Sequence, residues 1–327
     1  MSSDVASVSR VDVLEALLEG PRARGAFLIR ALVDPPWSLR IEDEAPLTLM
    51  TVMRGEARIW SDSGDALALH PGQVALVRGP DHYTVADCDG RPPEVVVLPG
   101  GRCTSVDDGR PLWDEWSLGV RTWGHAPDAS CVLLVGTYEG AGEASRPLLS
   151  ALPPLLVHDA PDDVLQILSV LAREMQVEVP GQRVLLDRLL DVLLIATLRT
   201  WFTARRDAAP GWFRAQHDRE VRRALGLLHQ DVARAWTVAD LAGEVGISRA
   251  ALARRFSGLL GEPPMTYLAG WRLALTADLL RSSDATVASI AREVGYGTPF
   301  SLSAAFKRAY GTSPQQYRSR TSAGGGA

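Results

Sequence analysis

The C-terminal third of the chain contains nearly the same sequence twice, and this repeat restricts the fold more than any other feature. The string TVADLAGEVG, which starts at Thr237, returns as TVASIAREVG, which starts at Thr286, an offset of 49 residues. Further landmarks then return at an offset of 50 residues: Leu252, Phe256, Gly261, Pro264 and Tyr267 correspond to Leu302, Phe306, Gly311, Pro314 and Tyr317. Such self-similarity indicates one structural unit that is used twice.

Each copy predicts two short helices joined by a tight turn. In the first copy Thr237 is suited to cap a helix, and Asp240 can complete a capping box with it. Gly246 is expected to end that helix, because the residue after the last turn often needs a positive φ. Ser248 can then cap the second helix. Apolar positions recur at helical spacing through both helices: Val238, Leu241, Ala242, Val245, Leu252, Phe256, Leu259 and Leu260.

The second copy repeats this plan, and a longer helix is expected between the copies. Thr286 is the expected cap and Gly295 the expected turn. Pro263 and Pro264 are expected to open the connecting helix, because proline is well tolerated in a first helical turn. Such a helix would hold the two copies at a fixed distance. The positions predicted to be apolar contacts are Val287, Ile290, Ala291, Val294, Leu302, Phe306 and Tyr310 in the second copy and Leu268, Trp271, Leu275 and Leu279 in the connecting helix.

This segment resembles the C-terminal DNA-binding domain of the AraC/XylS family of bacterial transcription regulators. The resemblance rests on WTVADLAGEVGISRAALARRF for one helix-turn-helix and on ATVASIAREVGYGTPFSLSAAFKRAYGTSPQQYR for the other. The second string ends in a pattern typical of the family, formed by Gly311, Ser313, Pro314, Tyr317 and Arg318. The resemblance implies an all-α domain whose two helix-turn-helix units read adjacent major grooves of double-stranded DNA. It also makes RNA polymerase a candidate partner.

The resemblance further assigns the residues expected to contact DNA. Arg254 is expected to read a base in the first unit, because an arginine fork on guanine is the commonest specific contact. In the second unit Phe300 is expected to press on a thymine methyl group, and Lys307 is placed for a phosphate. The first unit would therefore discriminate between sequences, and the second would mainly anchor the protein. The whole expected set is Ser248, Arg249, Ala250, Ala253, Arg254, Arg255, Thr298, Pro299, Phe300, Ser303, Ala304, Lys307 and Arg308.

Charge is distributed unevenly along the chain. The 327 residues have a net charge of -5, which by itself argues against a nucleic-acid partner. From residue 210 onward, however, 15 Arg and Lys stand against 9 Asp and Glu, which gives +6. The preceding residues carry 19 against 30, which gives -11. A basic C-terminal domain can therefore neutralise phosphates while an acidic N-terminal domain stays off the DNA.

The N-terminal part is expected to be a β jelly roll. Short apolar runs between residues 25 and 98 are separated by Pro-Pro, Ser-Gly and Pro-Gly, which favours a sandwich or barrel. The stretch MRGEARIW, followed by ALALHPGQVALVRGPDHYTVAD, resembles the cupin-like sensor domain that many regulators of this family carry, and CVLLVGTYEG predicts one more buried strand. The resemblance implies a small-molecule effector. The residues expected to contact this effector are Trp37, Met50, Arg58, Trp60 and His82. The alternative that Trp37 and Trp60 are ordinary core aromatics stays open.

A metal-dependent cupin enzyme fused to a DNA-binding domain is the alternative function, and the histidines argue against it. Such enzymes bind their metal through two histidines one residue apart, a carboxylate and a later histidine. Around Gly55 the chain offers Arg54, Glu56 and Arg58 instead, and His82 is a single candidate for the later position. We therefore expect no metal, no cofactor and no catalytic residue.

Residues 162–176 and 182–206 predict two helices after the β domain. The second, QRVLLDRLLDVLLIATLRTWFTARR, is apolar around most of its circumference, so we expect it to be buried on more than one side. In the regulators that this chain resembles, the corresponding helices pair two subunits, which implies a homodimer. Packing between domains is the open alternative. The charges of Arg183, Asp187 and Arg188 exclude a membrane span.

The remaining features predict a cytoplasmic protein. The N-terminal MSSDVASVSR has no apolar core of signal-peptide length, although residues 11–20 predict a short helix. No stretch of about 20 uncharged apolar residues follows. Cys88, Cys103 and Cys131 lack CxxC spacing, so they predict neither a disulfide framework nor a zinc finger, and a redox role for them stays open.

The expected organisation is α+β and multidomain. Residues 1–145 are expected to form the cupin-like sensor domain, and 146–206 the helical dimerisation segment. A linker at 207–216 would lead to the double helix-turn-helix domain at 217–318. Residues 319–327 are expected to be a disordered tail.

Overall fold

The computed structural model describes residues 27–62, 64, 66–138, 142–206 and 208–324, so the helix expected at 11–20 lies outside the described residues. Contacts divide the described residues into two compact units. The N-terminal unit contains residues 27–138 and 148–205, and the C-terminal unit contains 142–147 and 206–324. Each unit has its own secondary structure and its own core.

The N-terminal unit is built from two β-sheets. Its strands are β1 (Phe27–Val33), β2 (Ser38–Ile41), β3 (Leu47–Arg54), β4 (Ala57–Ser61), β5 (Leu67–Leu69), β6 (Gln73–Arg78), β7 (Tyr83–Ala86), β8 (Val95–Leu98), β9 (Arg102–Ser105), β10 (Ser117–Gly119), β11 (Thr122–Gly124), β12 (Cys131–Tyr138) and β13 (Leu155–Asp159). One sheet has the order β10-β11-β1-β12-β3-β6-β13, and the other has the order β5-β4-β7-β2-β8-β9.

Alternating side chains join the two sheets through one apolar core. Ile29 and Ala31 of β1 contribute to this core from the seven-stranded sheet, and Ile41 and Val85 contribute from the six-stranded sheet. Successive residues of a strand point to opposite faces, so each apolar run supplies one face to the core. The jelly-roll-like fold class expected from the sequence is confirmed, and β1 to β8 and β12 coincide with the expected runs.

Four strands were not predicted from the sequence. Strands β9, β10, β11 and β13 have three to five residues each. Runs of this length carry too little periodic signal to be distinguished from loops or helix ends. Strand β13 is formed because it pairs with β6 over its whole length, with His158 opposite Val74. This strand lies within residues 146–206, which were expected to be a helical dimerisation segment, so that part of the expected boundary is corrected.

The helices that follow β12 are α1 (Arg146–Ser150), α2 (Asp162–Glu174) and α3 (Gln182–Ala204). Both predicted helices, α2 and α3, are confirmed to within about two residues at their ends. Helix α3 packs against the seven-stranded sheet, where the Tyr138 hydroxyl donates a hydrogen bond to the Leu190 carbonyl oxygen at 2.8 Å. Its opposite face is exposed in the single chain, which differs from the expected burial on more than one side.

The C-terminal unit is helical. Its helices are α4 (Gly211–Arg214), α5 (Arg219–Gln230), α6 (Val238–Val245), α7 (Arg249–Leu260), α8 (Pro264–Ser282), α9 (Val287–Glu293), α10 (Pro299–Tyr310) and α11 (Pro314–Gly324). The two copies of the repeat form α6 with α7 and α9 with α10, and α8 is the expected connecting helix. No described helix of either unit combines the length and apolar character needed to cross a bilayer.

Two expected boundaries are corrected by the structure. The expected linker at 207–216 contains helix α4, whose Trp212 and Phe213 are buried, so these residues belong to a core rather than to a linker. The expected disordered tail at 319–327 is helical as far as Gly324. Helix α11 has a well-formed start, because Gln316 donates its backbone N–H to the Ser313 hydroxyl and accepts the Ser313 N–H in return.

Candidate nucleic-acid interface and ligand cavity

Local capping fixes the first helix-turn-helix unit. The Thr237 hydroxyl accepts the Asp240 N–H at 3.1 Å, and the Asp240 carboxylate accepts the Thr237 N–H at 3.0 Å. The expected capping box is therefore confirmed. Gly246 ends α6 with a φ of 79°. The Ser248 hydroxyl then accepts the Ala251 N–H at 3.2 Å, so α7 begins where the sequence predicts.

The exposed face of α7 is determined by the residues buried beneath it. Leu252 and Phe256 are fully buried in the unit's interior. Arg249, Ala250 and Arg254 are consequently exposed on the outer side of the helix. Small alanine side chains beside an arginine allow a helix to approach a groove closely while one long side chain reaches forward.

Three other expected contacts of the first unit have additional partners or less exposure. The Arg255 guanidinium donates to the Glu220 carboxylate at 2.8 Å and lies 3.9 Å from the Asp218 carboxylate. This pairing ties α7 to the start of α5. Ser248 uses its hydroxyl as a helix cap. Ala253 is only half-buried, at the edge of the exposed face.

The second unit is capped in the same way. The Thr286 hydroxyl accepts the Ser289 N–H at 3.1 Å at the start of α9. The Thr298 hydroxyl accepts the Ser301 N–H at 3.0 Å at the start of α10. Gly295, in the turn between them, has a φ of 80°. The local structure of the repeat is thus the same in both copies, as the sequence predicts.

Helix α10 presents a large apolar side chain to solvent. Phe300 is 83% exposed, the highest value among the large exposed hydrophobic side chains of the described residues. Ser303 and Ala304 are half-buried, and the Ser303 hydroxyl donates to the Pro299 carbonyl oxygen at 2.8 Å. The remaining exposed members of the expected set in the second unit are Thr298, Pro299, Lys307 and Arg308.

The two helix-turn-helix units meet at a close backbone contact. Arg272, in the middle of α8, donates to the carbonyl oxygens of Val232 at 2.9 Å and Arg234 at 2.7 Å. Burial lowers the pKa of the Arg272 guanidinium. The loop held by Arg272 also touches the turn of the second unit, where a Cβ on Gly295 would lie 2.5 Å from the Ala233 carbonyl oxygen. Helix α8 and this contact together set the distance between the two units.

The N-terminal unit contains a cavity between its two sheets. Its empty volume is about 580 Å³, part of which is open to solvent. Strands of both sheets contribute, since every second residue of a strand faces inward. The lining residues are Phe27, Ile29, Ala31, Leu39, Ile41, Asp43, Met50, Tyr83, Val85, Val97, Cys103, Trp123, Leu133, Val135 and Thr137.

Few polar groups interrupt this apolar lining. The Tyr83 hydroxyl is hydrogen-bonded to the Thr48 side chain, and burial raises the pKa of Tyr83. Asp43 accepts the Ala45 N–H at 3.1 Å, and burial raises the pKa of its carboxyl group. Trp123 is only 3% exposed, and its Nε1 has no hydrogen-bond partner among the described residues. None of these groups is among the effector contacts expected from the sequence.

Of the five residues expected to contact an effector, Met50 lines the cavity. Trp37 is fully buried in the same core but is not part of the lining, and its Nε1 has no hydrogen-bond partner in the described part of the chain. His82 lies outside the lining, with its Nδ1 3.6 Å from a carboxylate oxygen of Glu42. A role for Trp37 and His82 in effector binding stays a prediction.

Strand β4 places the other two candidates away from the cavity. Ala57 and Ile59 are fully buried in the core, so Arg58 and Trp60 lie on the opposite face of the strand. The Arg58 guanidinium donates to both carboxylate oxygens of Asp89, at 2.5 and 2.7 Å. The side-chain period of a strand is two, so a one-residue error in its phase exchanges the inner and outer faces. In β4 the residues that face the core are Ala57 and Ile59.

No metal site is evident in the described residues, and two of the three thiols are buried. No group of three or more His, Cys, Asp or Glu side chains there is arranged to hold a metal ion. Cys103 and Cys131 are buried, and burial raises the pKa of each thiol to about 11. Cys88 is exposed. Thiols with raised pKa values are mostly protonated near neutral pH, which disfavours nucleophilic chemistry.

These features together define a class of protein. A β-sandwich with an interior apolar cavity shares a chain with paired helix-turn-helix units that expose basic and aromatic side chains. The combination is that of a regulator in which one module binds a small molecule and the other reads double-stranded DNA.

Comparisons with known proteins agree with this class. A family model described as a cupin matches residues 12–203, and one described as a helix-turn-helix domain matches residues 241–320. An AraC-like transcription regulator of Streptomyces lividans is 32% identical over 94% of this chain and 98% of its own length. The HTH-type transcriptional regulator AlkR of Acinetobacter baylyi is 27% identical over 87% of this chain and 92% of its own. The solved DNA-binding domain of AdpA in complex with a target DNA is 30% identical, with a TM-score of 0.30, over 31% of this chain and 90% of that one.

The chain belongs to the AraC-like family of transcription regulators. It is a DNA-binding transcription regulator with an N-terminal cupin-like ligand-binding domain, as the resemblance implies.

Proposed function

We propose that this regulator discriminates between operator sequences through α7 and anchors itself through α10. The offset of 50 residues makes Ala250 and Arg254 of α7 equivalent to Phe300 and Ala304 of α10. Helix α7 therefore presents the guanidinium of Arg254 at the position where α10 presents only the methyl group of Ala304. The exposed Arg254 is the observation that carries the proposal.

Arg254 is available for a base in a way that its neighbour is not. Within the described residues, no acidic side chain is paired with Arg254, whereas Arg255 is paired with Glu220 at 2.8 Å. A free guanidinium can donate two hydrogen bonds to the O6 and N7 atoms of guanine. We assign Arg255 to holding α7 on α5, and Arg254 to reading the base.

Phe300 and the C-terminal part of α10 support the anchoring role. An aromatic ring that is 83% exposed leaves apolar surface in water, at about 25 cal/mol for each Å². Contact with a thymine methyl group would remove part of that surface from water. Lys307 and Arg308, two turns further along, are suited to phosphates, which fix position without reading sequence.

Quantitative footprinting and binding to specific and random DNA test this division. Arg254→Ala should weaken operator binding by about 1 to 3 kcal/mol and relax the preference at one base position. Lys307→Ala, the matched control, should weaken binding to all sequences alike. Equal loss on operator and random DNA for the Arg254 variant would show that this residue only contacts phosphate.

The proposal includes a homodimer formed through α3. Residues Val184, Leu185, Val192 and Ile195 are all large, aliphatic and 36 to 61% exposed on the face of α3 that points away from the sheet. A second copy of the same face is a self-complementary occupant, since a twofold axis places the same patch on both sides. Two linked DNA-binding units would gain affinity for paired sites by effective concentration.

The proposal also assigns the cavity of the N-terminal unit to the effector, which alters operator affinity without a metal and without catalysis. An apolar cavity with few polar groups is the usual form of a small-molecule site. Because the target is the cell's own DNA, the protein would act in the cytoplasm, with RNA polymerase as a further candidate partner.

A further inference from the structure

The cavity lining has a distinct chemical character. Ten of its residues are aliphatic or Phe or Met side chains, and no Arg, Lys or His belongs to it among the described residues. A carboxylate ligand needs a positively charged or multiply donating partner to offset its loss of hydration. A sugar needs a partner for each of its hydroxyl groups for the same reason.

Most polar groups in the lining are already hydrogen-bonded within the protein. The Thr137 hydroxyl donates to the Phe27 carbonyl oxygen at 3.3 Å. The Cys103 thiol lies 3.6 Å from the Gly101 carbonyl oxygen. The Thr137 hydroxyl and the Cys103 thiol thus use their only protons within the protein, and the Tyr83 hydroxyl pairs with the Thr48 side chain, so these groups retain mainly acceptor capacity.

Two polar groups remain, and they have opposite preferences. The indole N–H of Trp123 is a buried donor without a partner among the described residues. A buried polar group without a hydrogen bond costs free energy, so an acceptor on a ligand would remove that cost. Asp43 is a carboxyl group in the same lining, and its negative charge would repel a second anion.

We infer that the effector is a predominantly apolar molecule that carries one hydrogen-bond acceptor for Trp123 and no negative charge. Apolar ketones, esters and alcohols belong to this class, whereas sugars and carboxylic acids do not. The inference rests on the proposed function, in which this cavity is the effector site.

A pair of eight-carbon probes tests the inference on the full-length protein. The probes are 2-octanone, which has a neutral acceptor, and octanoate, which has an anionic one. Binding is measured by calorimetry and by the shift in melting temperature, because a ligand of the native state raises stability. We expect 2-octanone to bind at least about tenfold more tightly than octanoate, which corresponds to one charge repulsion of about 1.4 kcal/mol.

Two variants identify the groups responsible. Trp123→Phe keeps an aromatic ring but removes the N–H, and should weaken 2-octanone roughly threefold to tenfold, as expected for one hydrogen bond. In the absence of ligand, Trp123→Phe removes no hydrogen bond, because the indole N–H has no partner among the described residues. The loss of this N–H should therefore not lower the melting temperature of the ligand-free variant. Asp43→Asn should reduce the difference in affinity between 2-octanone and octanoate, because it removes the negative charge. Ala31→Val fills part of the same cavity and should weaken the binding of 2-octanone. This variant provides the test if Trp123→Phe does not fold.

Three results would overturn the inference: octanoate binding as tightly as 2-octanone, neither probe binding, or 2-octanone affinity unchanged in both the Trp123 and the Ala31 variants. Operator affinity measured with and without 2-octanone separates this inference from the proposed function. If 2-octanone binds as expected but operator affinity does not change, the inference about the ligand class is supported. The proposal that the cavity controls DNA binding would then be wrong.

Discussion

Gly246 and Gly295 occupy equivalent turns, and only one of them has room for a side chain. Their φ angles are 79° and 80°, so alanine at either position should cost about 1 to 2 kcal/mol of stability. A Cβ at Gly246 meets nothing within 4 Å, whereas a Cβ at Gly295 would lie 2.5 Å from the Ala233 carbonyl oxygen. Gly295→Ala should therefore lower the free energy of unfolding by about 1 to 3 kcal/mol more than Gly246→Ala.

Chemical denaturation of the two full-length variants measures this difference, and Gly246→Ala is the control for backbone strain alone. Because the contact of Gly295 with Ala233 joins the two helix-turn-helix units, Gly295→Ala should also weaken binding to an operator that spans both units. Equal loss of stability in the two variants would mean that the Ala233 loop moves aside at little cost.

At the scale of the element, α3 provides a prediction about assembly. Its buried face packs on the sheet through residues such as Leu190, and its outer face carries aliphatic side chains that the single chain leaves exposed. Val192→Glu places a charge in the centre of that outer face and should convert a dimer into a monomer, because an interface core does not tolerate an unpaired charge.

Val179→Glu is the matched control for this change. Val179 is 51% exposed and Val192 is 48% exposed, but Val179 precedes α3 and lies outside the aliphatic face. Light scattering at micromolar concentration should find the Val179 variant dimeric and the Val192 variant monomeric. A wild-type protein that is monomeric, or a Val192 variant that remains dimeric, would contradict the assignment.

At the scale of the whole molecule, charge separates the two activities. The C-terminal residues from 210 carry a net charge of +6 and the preceding residues carry -11. Operator affinity should fall by about a hundredfold between about 50 and 200 mM salt if four phosphates are contacted, because bound counterions are released. Binding of the neutral 2-octanone should change little over the same range, since no net charge is neutralised. Operator affinity that is independent of salt would contradict a phosphate-contacting surface.

The local structure of the C-terminal unit could be read from the sequence. The caps at Thr237 and Ser248 and the glycine turns form through contacts within three or four residues, so the strings that encode them are sufficient. The longer strands could also be located, because each is an apolar run of six to eight residues between turn residues. The repeat and its spacing also determined the family resemblance, which the comparisons confirm.

The tertiary structure alone decided which side chains meet. Arg254 and Arg255 are adjacent and alike in sequence, yet only Arg255 is paired with Glu220, 35 residues away. Asp43 and Trp123 line one cavity although 80 positions separate them in the chain. Such pairs depend on strand phase and on how elements pack, and a one-residue change of phase moves a side chain from the cavity to the opposite face of its sheet. The sequence determined the elements and their repeat, whereas long-range packing determined the chemistry of the cavity.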